Sequence, residues 1–347
     1  MHEWISDTVA RRWRGTRAVD IAELRGDASA RRFWRVRLPP GSRRIPSTAI
    51  AIDLGPDDLP RYARAIEMYP KSMAEPPWLN LHRYLSGLGV PVPELYEWSP
   101  QARMMLVEDV GEVSLFDAAR RDPADAGDLY REAVSELLRI HVEATAHPDP
   151  RCVAFKVAYD VRLFAWEMED FAAELPSLSA EFDREVIGHE LDALASRLGK
   201  LPRVLSHRDF HGGNLFVQQA RGRAVRIRII DFQDALMAPA AQDLSVLLTT
   251  RDTGELITPA IEQKLLDFYY TGAIRRKAPV PAYDDFIASY RLCVLQHALK
   301  CVGRFARLER EGKPGYKVYI PHALGQARRM LAELAPEFPN LRIALAS

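Results

Sequence analysis

One stretch, residues 206–245, limits what this chain can be more than any other. Residues 206–216 read SHRDFHGGNLF, 226–235 read RIRIIDFQDA, and 238–245 read APAAQDLS. The first segment fits His-Arg-Asp, four intervening residues, then Asn: His207, Arg208, Asp209 and Asn214. The second is an apolar run, 227–230, that delivers Asp231, Phe232 and Gln233. A loop bearing one carboxylate, followed by a strand that presents another, supplies what an in-line phosphoryl transfer needs. One carboxylate receives the proton of the attacking hydroxyl, and hard oxygen ligands hold Mg²⁺ on the phosphates. By type, Asp209 suits the first task, and Asn214 and Asp231 suit the second.

The rest of the chain is read against that centre. At 347 residues it is long enough for two lobes with a substantial core. Its 47 basic and 47 acidic residues cancel, so no overall field favours nucleic acid or an anionic membrane. Three cysteines, Cys152, Cys293 and Cys301, have neither metal-ligand spacing nor an even count, which argues for a reducing compartment. No apolar run approaches membrane-spanning length, and the first fifteen residues lack the apolar centre of a secretory signal. A cytoplasmic protein with no membrane or nucleic-acid partner is expected; the oligomeric state is open.

Along the N-terminal part, residues 4–13 have helical spacing. Residues 24–38 then read as a hairpin, with small residues at 26–30 and alternation of Phe33, Arg35 and Arg37 against Trp34, Val36 and Leu38. An ordinary hairpin accounts for this segment. The alternative is a phosphate cradle made of backbone N–H groups and the Ser29 hydroxyl. Residues 48–54, TAIAIDL, form a buried strand, and the lysine that a kinase places on such a strand is missing. Arg31, Arg32 or Lys71 would then take the phosphate charge. Trp78, Leu81, Leu85 and Leu88 mark one helix face, and residues 104–107 form a strand that runs into Glu108, Asp109, Val110 and Gly111. That exit is a candidate hinge whose backbone at Glu108 and Val110 would meet adenine. From residue 114 the pattern is helical, apart from strands within 203–233. The boundaries expected are 1–110 for a nucleotide-binding lobe and 111–347 for a catalytic and acceptor-binding lobe.

Around the central motif, His207 is expected to orient the loop by a hydrogen bond. Asp243 is expected to cap the helix it begins or to brace the loop. The two histidines four apart, His207 and His211, do not form a helical metal pair, because Gly212 and Gly213 place them in a loop. Only four residues separate Gln233 from Ala238, and Gln233 stands where protein kinases have glycine. That leaves no room for a peptide-docking segment and favours a small-molecule acceptor. His211, Gln233, Asp234 and Arg304 are the candidate acceptor contacts.

On these residues the chain resembles the aminoglycoside phosphotransferase family, and within it the bacterial N-acetylmuramate/N-acetylglucosamine anomeric kinases. The shared stretches are GDAS-x-RR at 26–32, HRDFH-x-x-NL at 207–215, DFQDA at 231–235, DL-x-x-LL at 243–248, and QHALKCVGRFARL at 296–308 followed by GKPGY at 312–316. The resemblance implies an α+β, two-lobed protein-kinase-like fold with a small sheet-containing N-lobe and a mostly helical C-lobe. It also implies ATP- and Mg²⁺-dependent phosphorylation of the anomeric hydroxyl of an amino sugar, as in cell-wall sugar recycling. Asp209 would be the base, Asn214 and Asp231 the Mg²⁺ ligands, and the backbone at 108–110 the adenine contact. The chain departs from the group at Gly212 and Gly213, often Ser-Arg there, and at Met237 and Ala238, often Arg-Gly. Two other readings stand beside this one: a kinase of an aminoglycoside- or choline-like hydroxyl compound, and a catalytically silent nucleotide-binding regulator.

Overall fold

The computed structural model describes residues 1–24, 31–39, 45–55, 59, 63, 70, 73–179, 182–219, 225–250 and 253–346. The expected turn at 26–30, Ser29 included, and Lys71 lie outside the described residues.

The chain opens with helix α1 (His2–Arg12) and the strands β1 (Asp20–Leu24), β2 (Arg32–Arg37) and β3 (Thr48–Asp53). Helix α2 (Pro77–Gly87), β4 (Leu95–Ser99) and β5 (Met104–Glu108) follow. The strands form one antiparallel sheet in the order β1-β2-β3-β5-β4. The hairpin read from the sequence is present, with Leu24 opposite Phe33 and Asp20 opposite Arg37. Side chains alternate across the sheet, as a pleated strand requires. Trp34, Val36, Ala49, Ala51, Met104 and Leu106 pack with Ile5, Val9 and Trp13 of the α1 region in a small core of their own. Burying three such anchors is worth roughly 5–9 kcal/mol, enough to dock an eleven-residue helix that would be marginal alone. On the other face, Ile52, Met105 and Val107 join the main core with Trp78, Leu81 and Leu85 of α2.

The remainder is mostly helical. Helix α3 (Leu115–Arg121) starts at Ser114, whose hydroxyl accepts from Asp117 N. Helix α4 (Ala126–Arg139) runs without a break into a π-helical turn, Ile140–Ala144, which carries His141. Helices α5 (Val161–Leu178) and α6 (Arg184–Gly199) follow, each capped by an aspartate, Asp160 and Asp183. Then come β6 (Arg203–Ser206), β7 (Leu215–Gln219), β8 (Val225–Ile229) and β9 (Leu236–Pro239). They pair as two small antiparallel ribbons, β6 with β9 and β7 with β8. Helices α7 (Ala240–Thr249), α8 (Pro259–Arg275), α9 (Tyr283–Arg310), α10 (Ile320–Glu333) and α11 (Pro339–Ala344) complete the chain. No helix among the described residues is long and apolar enough to cross a membrane.

Of the two roles expected of Asp243, capping the helix or bracing the loop, the first is not taken up. Helix α7 begins three residues earlier at Ala240, after Pro239, and Asp243 lies fully buried in its first turn. Pro239 stands at the N-cap position, where it offers no side-chain acceptor, and the helix start has no side-chain cap.

Helix α9, 28 residues long, lies along α5. Gly303 makes that approach close: a Cβ there would sit 2.2 Å from Phe171 N and 2.4 Å from the Asp170 carbonyl carbon. Backbone cannot yield as a side chain can. Gly303→Ala should destabilise the fold by about 2 kcal/mol or more through overpacking, read as a lowered melting temperature by circular dichroism.

Candidate active site

The first residues after β6 form the catalytic loop, and a buried carboxylate holds it. Asp243 accepts hydrogen bonds from the backbone N–H groups of His207, at 2.9 Å, and Arg208, at 2.8 Å. It also meets His141 Nε2 at 2.9 Å, while His141 Nδ1 meets the Tyr269 hydroxyl at 2.7 Å. Burial, then the nearby Asp243 carboxylate, pushes the Tyr269 hydroxyl far up, so it stays protonated and donates. His207 Nε2 donates to Ile230 O at 3.0 Å. Asn214 Nδ2 donates to Asp209 O, and Ile230 N to Asn214 O, both at 3.0 Å. The loop is thereby stitched to the residue that precedes Asp231. Phe116 N in the first turn of α3 donates to Gly212 O, which gives one of that helix's unpaired N–H groups a partner.

Two residues of the motif have left-handed backbone, Arg208 at φ +76° and Asp231 at φ +63°. For non-glycine residues each costs on the order of 1–3 kcal/mol. Aspartate tolerates this region better than arginine, so Arg208 needs the stronger restraint. Its N–H is held as described, and its guanidinium reaches Glu167 at 2.7 Å and Asp234 at 3.2 Å.

Glu167, from the buried face of α5, gathers Arg208, Lys300 Nζ of α9 at 2.9 Å, and the Tyr159 hydroxyl. Burial pushes its carboxyl up, but Lys300 and Arg208 outweigh burial and bring it down to about 2. Burial likewise pushes Asp209 up, and Arg208, Lys300 and Arg304 hold it well below the usual carboxylate range. Asp234 goes the other way. Burial, with repulsion from Asp209 and Asp231, outweighs Arg208 and lifts it to about 6.

The structure places the remaining expected residues as follows. Asp231 is exposed at its side chain, 41 %, and follows Ile230, whose N–H donates to Asn214 O. The Asn214 carboxamide oxygen has no hydrogen bond among the described residues. Carboxylate and carboxamide oxygens are the donors a hard divalent cation takes when phosphates complete its shell, so this pair fits Mg²⁺. Arg31 lies 3.7 Å from Asp231, whereas Arg32, one residue on in the pleat, pairs with Asp53 at 2.9 Å and lies over Trp34. Gln233 is buried and donates to Asp231 at 2.8 Å, so it shapes that carboxylate's position. His211 Nδ1 accepts from Gly213 N, and its ring acts electrostatically on Asp209. At the expected hinge, Glu108 N donates to Glu94 O, and Val110 O accepts from Gln218 Nε2. The Glu108 side chain pairs with Arg228.

Sequence reasoning missed Glu167, Tyr159, His141, His297 and Lys300. Spacing within α9 puts 296, 300 and 304 on one stripe, but nothing local shows which way that stripe faces.

A geometry of this kind serves one chemistry, the transfer of a phosphoryl group to a hydroxyl, and the chain is a phosphotransferase of that class with a kinase-like fold. Residues 20–277 match the phosphotransferase enzyme family, and the chain belongs to that family. An N-acetylmuramate/N-acetylglucosamine kinase of Neisseria meningitidis serogroup B is 28% identical over 336 residues, covering 94% of this chain and 90% of that one. A protein of the same name from Caulobacter vibrioides is 30% identical over 258 residues, covering 69% of this chain and 65% of its own. Among solved structures, an amicoumacin kinase bound to AMP-PNP and Ca²⁺ superposes with a TM-score of 0.58 at 15% identity, over 96% of this chain and 97% of that one.

Replacing Glu167 with glutamine leaves Arg208 and Lys300 without their shared counter-charge, at a cost of about 3–5 kcal/mol near neutral pH. Since the folded carboxyl titrates at about 2, below its usual value of 4.5, its contribution is present above the usual value and is lost as pH falls toward about 2. Urea unfolding of wild type and Glu167→Gln should therefore differ most near neutral pH, and the two curves should converge with acidification.

Proposed function

We propose that this enzyme transfers the γ-phosphoryl group of ATP to the anomeric hydroxyl of an amino sugar of the N-acetylmuramate/N-acetylglucosamine kind. ATP lies between the part up to residue 110 and the remainder, with adenine against the backbone at 108–110. Arg31 stands over the phosphates in place of the lysine absent from β3. Mg²⁺, held by Asn214 and Asp231, supplies charge neutralisation of the phosphate oxygens when bound.

The observation that carries the acceptor assignment is the cationic acceptor side. Glu167 and Asp234 answer Arg208 and Lys300, but Arg304 also acts on Asp209 and has no ion pair among the described residues, a poor setting for a cationic acceptor such as an aminoglycoside or choline. The names of relatives that align along most of this chain support the sugar. Asp209 orients the sugar hydroxyl and receives its proton. A carboxylate kept this acidic is a weak base, which suits a loose transition state in which bond breaking to the leaving group precedes proton transfer. The silent-regulator reading draws on the missing β3 lysine. Arg31 beside Asp231 answers it.

Purified protein with ATP and Mg²⁺ should add one phosphoryl mass to N-acetylmuramate or N-acetylglucosamine, and not to an aminoglycoside or choline. Asp209→Asn should lower kcat about 10²–10⁴-fold while nucleotide affinity stays within a few-fold. Wild-type turnover in that variant, or an exclusively cationic acceptor range, overturns the reading.

A further inference from the structure

Helix α9 presents two polar groups toward Asp209 that the fold itself does not use. Gln296 and Lys300 both reach Glu167, at 3.4 and 2.9 Å, which orients one stripe of α9 toward the catalytic loop. Arg304 is the next residue of that stripe, one turn beyond Lys300. It is half-buried and makes no hydrogen bond or ion pair with any described residue. Its neighbour Arg307 is already engaged by Asp170 of α5 at 2.9 Å. His297, one turn before Cys301, is 9% exposed, and its Nδ1 has no partner among the described residues. Its Nε2 has only long contacts, 3.5 Å to Thr250 Oγ1 and 3.6 Å to Cys301 Sγ.

Arg304 acts on the Asp209 carboxylate from a distance without an ion pair to it, and a half-buried guanidinium is costly unless a ligand completes its pairing. The nucleotide side has its own cation in Arg31, 3.7 Å from Asp231 on the N-terminal sheet. Arg304 lies on a C-terminal helix whose stripe reaches Glu167 beside Arg208, and in-line transfer needs the hydroxyl on the side of the phosphoryl group away from the nucleotide. Burial, then Lys300, lowers the His297 imidazole to about 3, so it is neutral and cannot itself supply a second charge. It offers a hydrogen-bonding nitrogen on the same face of the helix, about two turns before Arg304.

From this arrangement we infer that Arg304 and His297 form an anion subsite for the phosphoryl acceptor: Arg304 pairs with a carboxylate on the sugar, and His297 hydrogen-bonds a neighbouring polar group. The preferred acceptor is then an acidic amino sugar rather than a neutral one. This deepens the amino-sugar reading above and rests on it.

The test compares kcat/KM for N-acetylmuramate, for the same sugar with its carboxylate converted to the amide, and for N-acetylglucosamine, in wild type, Arg304→Gln and Arg304→Lys. Wild type should favour the acid over the amide. Arg304→Gln should lower that acid-to-amide ratio roughly 10- to 100-fold, mainly through the KM of the acid. Arg304→Lys should restore part of it, and the KM for ATP should hold. The ratio is internal to each preparation, so loss of folded enzyme does not move it. An unchanged ratio overturns the subsite. A fall on all three sugars with a raised KM for ATP also overturns it, and assigns Arg304 to the nucleotide phosphates instead. If wild type phosphorylates none of the three, the amino-sugar reading itself fails and the subsite with it.

Discussion

Everything at the site hangs from the Asp243 carboxylate. It has no exposure to water, and taking a carboxylate out of water costs several kcal/mol. Three donors offset this: two consecutive backbone N–H groups and an imidazole, each bond to a charged group being worth about 1.5–3 kcal/mol. The bonds do more than stabilise. Because they seize the N–H groups on both sides of the His207 Cα, they fix the two peptide planes that meet there, and with them the approach to the strained backbone of Arg208 and to Asp209.

A second layer of charge surrounds that fixed loop. Arg208 turns inward to Glu167, and Glu167 is shared with Lys300 of α9. The motif loop and α9 are therefore tied through one buried anion, so a shift in either is felt by the other. The division of labour is electrostatic. Cations from the helical part keep Asp209 ionised, while Asp234, crowded by Asp209 and Asp231, is the carboxylate of the site that most readily takes a proton.

Much of this could be read in the chain beforehand, and the limits have a physical cause. The motif residues Asp209, Asn214 and Asp231 are close in sequence, so their spacing alone implies a loop and a strand end. The hairpin of β1 and β2, the buried β3, and the helices α4 and α9 follow from periodicities of two and 3.6. Contacts such as Glu167 with Arg208, or Lys300 with Glu167, join residues far apart in the chain. Periodicity says that each is on a buried or half-buried stripe, never what the stripe meets. The sequence leaves a helix cap and a loop brace side by side for Asp243, because an aspartate opening a helix can do either; only the three-dimensional contacts show it accepting from His207 N and Arg208 N. Gln233, expected at the acceptor, donates to Asp231, a contact that no periodicity shows.

The π-helical turn at Ile140–Ala144 carries a consequence for how this fold can change over evolutionary time. A π turn accommodates one more residue than the α-helix around it, and that surplus aims His141 at Asp243. Losing one residue there would restore a regular helix and swing His141 by about 100°, away from the carboxylate and from Tyr269. The number of residues in α4 and its extension thus bears on the loop alongside the identity of the motif. Point substitutions can drift along this helix, but an insertion or deletion within it would register directly at the loop that does the chemistry.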